Sequence, residues 1–192
     1  MRVITGTAKG KKLKAVPGAT TRPITDRTKE ALFSILGDWI INRRVLDLFG
    51  GTGAVGIEAL SRGAGHVTFI EKSADATRTI GHNLQLTGLA KKALVKRGDA
   101  FKFLRSPPAN TEPFDLIYIA PPQYQSLWAG AISFIDQELE QWLRPDGAII
   151  AQIHPTEFKE LLLQNLILYD QRKYGSTLLC FYEWRDVAST AS

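Results

Sequence analysis

Residues 45–56 read Val-Leu-Asp-Leu-Phe-Gly-Gly-Thr-Gly-Ala-Val-Gly. The apolar run that opens this stretch predicts a buried β-strand, and the glycines after it predict a sharp turn into a helix over residues 52–62. Three of the glycines match the pattern G-x-G-x-x-G, and Glu71 follows the first of them, Gly51, by 20 residues. A strand, a glycine turn, a helix and a later acidic residue are typical of a nucleotide site, in which backbone N–H groups at the helix start face the ligand.

The rest of the chain alternates between strand and helix patterns. Apolar runs predict strands at residues 45–48, 66–71, 93–96, 114–119, 148–153, 167–173 and 176–184. Helical patterns lie at residues 26–36, 52–62, 74–86, 99–104, 127–142 and 157–164. This alternation predicts an α/β fold with a mostly parallel sheet and helices on both faces. The last two strands are joined only by a turn at Tyr174-Gly175, so we expect one antiparallel strand at the end.

Length and composition limit the class of protein. A chain of 192 residues suits one main domain, predicted at residues 21–186, with an N-terminal extension at residues 1–20 and a frayed tail at residues 187–192. The single cysteine, Cys180, excludes an internal disulfide framework, and the three histidines lack the spacing of a metal site. No apolar run is long enough to span a membrane and no signal peptide opens the chain, so we expect a cytoplasmic protein.

The positive charge of the chain lies mainly near its N-terminus. Residues 1–44 hold 10 Lys/Arg and 3 Asp/Glu, a net of +7, whereas the remaining residues hold 14 and 16, a net of −2. Residues 1–20 can form a β-hairpin rich in lysine. A solvated face is one interpretation, but phosphates favour clustered cations, so we predict contact with nucleic acid. The candidate residues for this contact are Arg2, Lys9, Lys11, Lys12, Lys14, Arg22 and Arg27.

Asp47 bears on the choice between two kinds of cofactor. It lies in the first predicted strand, just before the glycine turn. A dinucleotide would bring its pyrophosphate there, which an unpaired carboxylate opposes, whereas S-adenosylmethionine (SAM) brings an ammonium and a sulfonium that a carboxylate attracts. Asp47 also has a structural interpretation, as an acceptor for N–H groups of the turn, and both roles can coexist.

Two further carboxylates follow the next strands, at the edge where open α/β sheets bind ligands. Glu71 ends the second predicted strand and suits a ribose, as in nucleotide sites of this spacing. Asp99 follows the third strand, where a carboxylate can accept the exocyclic amine of adenine or cap the next helix.

The fourth predicted strand leads into Ala120-Pro121-Pro122-Gln123-Tyr124. Consecutive prolines remove two N–H donors and stiffen the turn, so its carbonyl groups can point into a site as fixed acceptors. Tyr124 can supply a stacking surface for a base. A plain rigid turn is the alternative interpretation.

Several motifs of the chain together resemble a known family. D-L-F-G-G-T-G at residues 47–53, Glu71, G-D-A at residues 98–100 and the Pro-Pro-x-Tyr turn resemble the class I SAM-dependent methyltransferases. The opening R-V-I-T-G, residues 21–36 (T-R-P-I-T-D-R-T-K-E-A-L-F-S-I-L) and residues 173–183 (K-Y-G-S-T-L-L-C-F-Y-E) resemble one branch, the RsmD-type 16S ribosomal RNA guanine-N2 methyltransferases.

The resemblance implies a fold, a cofactor and a substrate. The fold would be a Rossmann-like methyltransferase sandwich with a seven-stranded sheet, an antiparallel last strand and an N-terminal β-hairpin. SAM would be the cofactor, and the substrate a guanine amine in ribosomal RNA or in a small-subunit assembly intermediate. We also expect a monomer that does not bind membranes. The cofactor-binding residues carried over are Asp47, Phe49, Gly51, Thr52, Gly53, Glu71, Asp99 and Ala100.

One position departs from the family pattern. The family has Asp at the start of the Pro-Pro turn, and its aromatic residue directly follows the prolines, whereas this chain has Ala120 and a later Tyr124. Alanine cannot accept a hydrogen bond from the target amine. Backbone carbonyls with Gln123 could replace that acceptor, the substrate could differ, or the protein could be an RNA-binding module with little catalysis. The candidate catalytic residues remain Ala120, Pro121, Pro122 and Tyr124. An NAD-dependent oxidoreductase is a less favoured alternative, because Asp47 opposes a pyrophosphate.

Overall fold

The computed structural model describes residues 1–18 and 24–185. The chain divides into two compact units, residues 1–109 and residues 110–192. The tail predicted to fray, residues 187–192, lies outside the described residues. Among the described residues, no helix is both long enough and apolar enough to cross a membrane.

The described residues of the first unit form three parallel strands and four α-helices. Its strands are β1 (Arg44–Asp47), β2 (His66–Glu71) and β3 (Ala93–Arg97). Its helices are α1 (Asp26–Leu36), α2 (Ala54–Ser61), α3 (Ala74–Thr87) and α4 (Ala100–Arg105). β2 pairs with β1 on one side and with β3 on the other, and both pairings are parallel. The strands and helices predicted from the alternating pattern are therefore confirmed here within one or two residues.

The second unit contains the remaining four strands. They are β4 (Phe114–Ile119), β5 (Leu143–Ile153), β6 (Leu166–Tyr174) and β7 (Thr177–Trp184), with helices α5 (Leu127–Gln137) and α6 (Leu139–Trp142) before β5. β4 and β5 are parallel, and β7 is antiparallel to both β5 and β6. The seven strands have the order β3-β2-β1-β4-β5-β7-β6. The predicted α/β fold with seven strands and an antiparallel last strand is confirmed.

Two helix predictions in the second unit were wrong, and hydrogen bonds of one residue, Asp136, account for both. Residues 127–142 form α5 and α6 with a break at Glu138 (φ −119°, ψ 39°), and residues 157–164 contain only a short 3-10 turn, Pro155–Glu157. The buried carboxylate of Asp136 accepts the backbone N–H groups of residues 164–166. Its backbone carbonyl also accepts the side-chain amide of Asn165 at 2.7 Å. These bonds fix a non-helical segment and occupy a carbonyl that a continuous helix would use.

The N-terminal segment folds onto the first unit as an irregular hairpin. Its arms meet in one antiparallel bridge, Arg2 to Lys12, instead of two regular strands. The apolar side chains of Val3, Ala8 and Leu13 are buried. Their burial supplies the packing that an isolated hairpin lacks in water.

Helix α1 has the predicted ends but a different buried face. Thr25 caps it by accepting the backbone N–H of Thr28, and Gly37 ends it with a positive φ of 51°. Apolar spacing in this helix predicts that Ile35 is buried, but it is 45% exposed, whereas Lys29 is fully buried. Periodicity misplaced the face because a lysine is buried only where an acidic partner compensates its charge, and such a partner cannot be identified from the helix alone.

Candidate functional site

The glycine turn after β1 is fixed by its own backbone. The N–H of Gly50 donates to the carbonyl of Ile70 in β2 at 2.9 Å, and the N–H of Gly53 donates back to Gly50 at 2.7 Å. Gly53 has a φ of 78° and directly precedes α2, so this position favours glycine. A side chain at Gly56 would come within 2.3 Å of the Phe69 ring, so glycine there lets α2 pack closely against β2.

Asp47 is the buried carboxylate of this turn. It ends β1 with 2% of its surface exposed, and it accepts a hydrogen bond from the backbone of Gly56. Burial raises its pKa to about 8, and the nearby charge of Glu71 adds to the rise. The structural interpretation of Asp47, as an acceptor within the turn, is therefore correct. A cation bound beside Asp47 would lower this pKa, and the ionised carboxylate would in turn stabilise the cation.

Glu71 links the turn to the end of β2. One of its carboxylate oxygens accepts the N–H of Gly51 at 2.8 Å, and the other accepts the N–H of Ser73 at 2.7 Å. The 20-residue spacing therefore places a carboxylate directly on the glycine turn. This contact was not part of the sequence-based interpretation, which assigned Glu71 only to a ribose.

Asp99 lies beside Glu71 at the end of the third strand. The N–H of Gly98 donates to the carbonyl of Glu71 at 2.9 Å. One Asp99 carboxylate oxygen caps α4, because it accepts the N–H groups of Phe101 and Lys102 at 3.0 and 3.1 Å. The other oxygen lies 3.8 Å from the ammonium of Lys72. The capping role is thus present, and the second oxygen remains for the predicted adenine contact.

Several other predicted cofactor residues lie around the same turn. Thr52 and Phe49 are half-buried, and Ala100 is the buried first residue of α4. The Thr52 hydroxyl lies 3.5 Å from the sulfur of Met1, so the N-terminus reaches the glycine turn. The structure therefore brings Asp47, Gly51, Thr52, Gly53, Glu71 and Asp99 together at the carboxyl ends of β1, β2 and β3.

Asn83 of α3 joins the N-terminal segment to the turn. Its fully buried amide donates to the carbonyls of Lys14 and Thr52, both at 3.0 Å, and its side-chain oxygen accepts the N–H of Lys14 at 2.8 Å. No sequence motif marks this residue, because its role depends on two segments that are distant in the chain.

A buried ion pair holds the same segment on α2. Lys29 and Glu58, both fully buried, lie 3.3 Å apart, and Arg62 contacts the same carboxylate at 2.9 Å. Glu58 also accepts the N–H groups of Ile4 and Thr5 at 2.8 and 3.0 Å. The N-terminal segment is therefore attached to the helix that begins at the glycine turn.

The cations predicted to bind RNA lie on the surface of this unit. Arg2, Lys9, Lys11, Lys12, Lys14 and Arg27 are exposed, and Arg22 lies outside the described residues. Arg2 lies 3.8 Å from Asp26. In the described part of the chain, the four lysines of this group form no salt bridge, so their charges are open to a partner.

In the second unit, the proline turn after β4 has few contacts. Ala120 and Pro121 are half-buried, and Pro122, Gln123 and Tyr124 are exposed. Tyr124 has a positive φ of 62°, unusual for a residue with a side chain, and 70% of its surface is exposed. The turn is an open structure that presents an aromatic ring to solvent.

Glu157 fixes this turn and was missed from the sequence. One carboxylate oxygen accepts the N–H of Tyr124 at 2.6 Å, and the other accepts the N–H of His154 at 3.3 Å. The rings of Tyr124 and His154 have centroids 5.9 Å apart. The acidic residue three positions after His154 forms a capping box, which was the available signal in the sequence.

His154 is held in the loop after β5 by a neighbouring residue. Its Nδ1 lies 2.8 Å from the hydroxyl of Thr156 and accepts the Thr156 N–H at 3.3 Å. In the described residues there is no group of three or more His, Cys, Asp or Glu side chains that could hold a metal ion. Cys180 lies in the core, where burial raises the pKa of its thiol to about 12.

The strand order and the glycine turn define a class I methyltransferase fold, and solved structures share it. The chain is 31% identical to Escherichia coli yhhF, described as a candidate methyltransferase, with a TM-score of 0.80 and coverage of 97% of this chain and 98% of that one. An RNA methyltransferase from Salinibacter ruber, solved with S-adenosylhomocysteine, shares the fold at 12% identity, with a TM-score of 0.61 and coverage of 85% and 93%.

The family model described as "Conserved hypothetical protein 95" matches residues 1–183. The chain is 38% identical over 186 residues to Bacillus subtilis YlbH, named as a candidate rRNA methyltransferase, covering 96% of this chain and all of that protein. It is 35% identical over 153 residues to "Ribosomal RNA small subunit methyltransferase D" of Haemophilus influenzae, covering 79% and 78%. The chain therefore belongs to this family of RsmD-type methyltransferases, and the resemblance found in the sequence is confirmed.

Proposed function

We propose that this protein methylates the exocyclic N2 amine of a guanine in small-subunit (16S) ribosomal RNA, with SAM as methyl donor. The observation that carries the proposal is the buried Asp47 carboxylate beside a glycine turn that opens a helix. Relatives in Haemophilus influenzae and Escherichia coli are named for methylation of small-subunit ribosomal RNA, and they match most of this chain. The substrate class follows from those relatives and from the exposed cations of the N-terminal segment.

The residues around the glycine turn fit SAM better than a dinucleotide. Asp47 is a buried carboxylate with a pKa raised to about 8, so a cationic group beside it would recover the energy lost on burial. A pyrophosphate would be repelled by the Glu71 carboxylate and would oppose ionisation of Asp47. In our proposal, Asp47 and the turn from Gly51 to Gly53 hold the methionine part of SAM. Glu71 contacts the ribose, while Asp99 and Ala100 border the adenine.

The cofactor supplies a methyl group on a sulfonium, which a neutral amine can attack without metal or acid catalysis. The guanine N2 amine is a poor nucleophile, so the protein must orient it and exclude competing geometries. The target base leaves its stack, as base-modifying enzymes require, and rests on the exposed ring of Tyr124. The carbonyls of Ala120 and Pro121 accept the amine hydrogens, and solvent takes the released proton.

Glu157 compensates for the missing Asp of the proline turn in this proposal. Its carboxylate holds the backbone of Tyr124 at 2.6 Å, which keeps the residue in its left-handed conformation. A fixed Tyr124 in turn fixes the carbonyls that precede it. The chain thereby replaces one accepting side chain with a backbone held in position by the 3-10 turn after β5.

The substrate is ribosomal RNA or a small-subunit assembly intermediate, which would place the enzyme in the cytoplasm. The exposed lysines of the N-terminal segment bind its phosphates, and a monomer is sufficient because the cofactor residues and the proline turn are all in one chain.

A non-catalytic RNA-binding protein is the second candidate, favoured by one observation. Ala120 has no side-chain acceptor at the position where the family has Asp. Such a protein would bind SAM and RNA without methyl transfer.

Transfer of a labelled methyl group from SAM to ribosomal RNA tests the proposal. Small subunits and naked 16S RNA, both from cells that lack this protein, are the two substrates. We expect transfer to at least one of them, and much slower transfer with the Asp47→Asn variant when SAM is limiting. If calorimetry shows SAM binding but no methyl group is transferred even with enzyme in excess over RNA, the non-catalytic candidate is favoured. NAD binding without SAM binding would contradict both.

A further inference from the structure

The division into two units reveals a second concentration of positive charge. Residues 1–109 hold 19 Lys/Arg and 8 Asp/Glu, a net of +11, whereas residues 110–192 hold 5 and 11, a net of −6. Within the first unit, residues 91–105 hold six Lys/Arg and one Asp, a net of +5. The net charge summed over all residues after 44 does not reveal this stretch, because the acidic residues of the second unit cancel its positive charge.

The six cations lie on β3 and on the segments that flank it. Among the strands of the described residues, β3 lies at one end of the sheet and pairs with β2 alone. All six side chains are exposed. We call this group the β3-edge surface; its members are Lys91, Lys92, Lys96, Arg97, Lys102 and Arg105.

The charge of the β3-edge surface is not neutralised by neighbouring acids. Its single acidic residue, Asp99, uses one oxygen to cap α4, and the other lies 3.8 Å from Lys72, outside the group. In the described parts of the chain none of the six members forms a salt bridge. By contrast, Lys29, Arg62 and Arg78 of the same unit each pair with a carboxylate.

Protection of the sheet edge against pairing with another strand is a simpler use of such charges. Edge strands commonly carry lysine for that purpose. That use needs charges on the strand itself, whereas four of the six cations lie before β3 or on α4. A surface that extends beyond the strand fits an extended anionic partner better.

The chemistry of the β3-edge surface indicates a phosphate backbone and not bases. Lysine and arginine predominate, and the two phenylalanines of this stretch, Phe101 and Phe103, are half-buried and buried, so no exposed ring is offered for stacking. The five residues of β3 extend about 16 Å at roughly 3.3 Å per residue, a length that spans several phosphates of an RNA strand.

We propose that the β3-edge surface binds the phosphodiester backbone of the ribosomal RNA substrate, as a second contact besides the N-terminal segment. The inference rests on the proposed function, because it assigns a further surface to the same substrate. It contributes affinity without sequence preference, and it leaves SAM binding unchanged, since none of its members is among the predicted cofactor residues.

The test compares two double variants that each remove two exposed lysines. Lys92→Gln with Lys96→Gln alters the β3-edge surface, and Lys159→Gln with Lys173→Gln is the matched control in the acidic second unit. Binding to 16S RNA is measured over a range of salt concentrations, and SAM affinity and thermal unfolding are measured in parallel. We expect the β3-edge variant to bind RNA several-fold more weakly and to lower the slope of log K against log salt by about 1.5, with the control unchanged.

A second variant, on α4, controls for a change in RNA binding that comes only from a disturbed β3. Lys102→Gln with Arg105→Gln on α4 should weaken RNA binding in the same way. Equal affinities and salt slopes for the β3-edge variants and the control would overturn the inference while wild-type RNA binding upholds the proposed function. Weakened binding to assembled small subunits only, with naked RNA unaffected, would point to a protein partner and would also overturn it. Absence of RNA binding by the wild type would contradict both proposals.

Discussion

The glycine turn after β1 and the proline turn after β4 each follow a buried parallel strand, but different interactions hold them. The glycine turn is tied to β2 by Gly50 and Gly51, and beneath it lies a network that includes the buried Asn83. The proline turn lacks two N–H donors, exposes Tyr124 and depends on one carboxylate, Glu157. The glycine turn is therefore supported by several contacts, whereas loss of one contact would release the backbone of Tyr124 in the proline turn.

Damage to the network under the glycine turn should therefore lower the free energy of unfolding. Lys29→Met leaves Glu58 buried and without its lysine partner, and we expect a fall of about 3–5 kcal/mol in the free energy of unfolding. Urea titration measures it. Lys12→Met, at an exposed lysine of the same unit, is the matched control and should change stability by less than about 0.5 kcal/mol. Similar effects of the two substitutions would show that the buried pair is not a support of the turn.

Asp47 should affect cofactor binding more than any residue of the proline turn. Asp47→Asn keeps the shape of the side chain but cannot ionise beside a bound cation, so we expect SAM affinity to fall by about 30- to 100-fold, in line with the loss of a buried charge pair. Calorimetry measures the affinity. Asp38→Asn removes an exposed carboxylate of the same unit and serves as control. A fall of less than threefold for Asp47→Asn would contradict the role given to this carboxylate.

The same substitution predicts a change in pH dependence. The pKa of Asp47 is raised from 3.8 to about 8 in the folded protein, so the folded state holds a proton that the unfolded state has released between these values. The stability that this group contributes is therefore present below about pH 4 and is lost as pH rises toward 8. Unfolding of the cofactor-free protein at several pH values should show that loss, and the Asn variant should show less of it. Parallel pH profiles of the two proteins would exclude the raised pKa.

Glu157 should affect methyl transfer and leave cofactor binding intact. Glu157→Ala releases the N–H of Tyr124. We expect kcat to fall by about tenfold, because the Tyr124 ring that supports the target guanine is no longer fixed. SAM affinity should stay within about twofold of the wild type. Glu160→Ala, an exposed acidic residue on the same segment, is the control. Equal losses of kcat and of SAM affinity would mean that the two turns do not have separate roles.

The smallest effect is expected at the position that departs from the family pattern. Ala120→Asp restores a side-chain acceptor, but in our account the backbone carbonyls already fill that role, so kcat should change by less than about threefold. A rise of tenfold or more would show that the wild-type turn lacks an acceptor and that the enzyme is a weakened one.

The two turns also differ in how far they could be predicted. The strand, glycine turn and helix at residues 45–56 were predicted because backbone geometry dictates both the glycines and the apolar run. Thr25 and Gly37 marked the ends of α1 by local capping chemistry. By contrast, Lys29 and Glu157 act through partners distant in sequence, and local patterns carry no information about those partners.

Methylated nucleotides of 16S ribosomal RNA, mapped by mass spectrometry in cells with and without this protein, test the central claim most directly. We predict that one N2-methylguanine disappears when the protein is absent, that wild-type protein restores it, and that Asp47→Asn does not. An unchanged set of methylguanines would contradict the proposed function, and so would full restoration by Asp47→Asn.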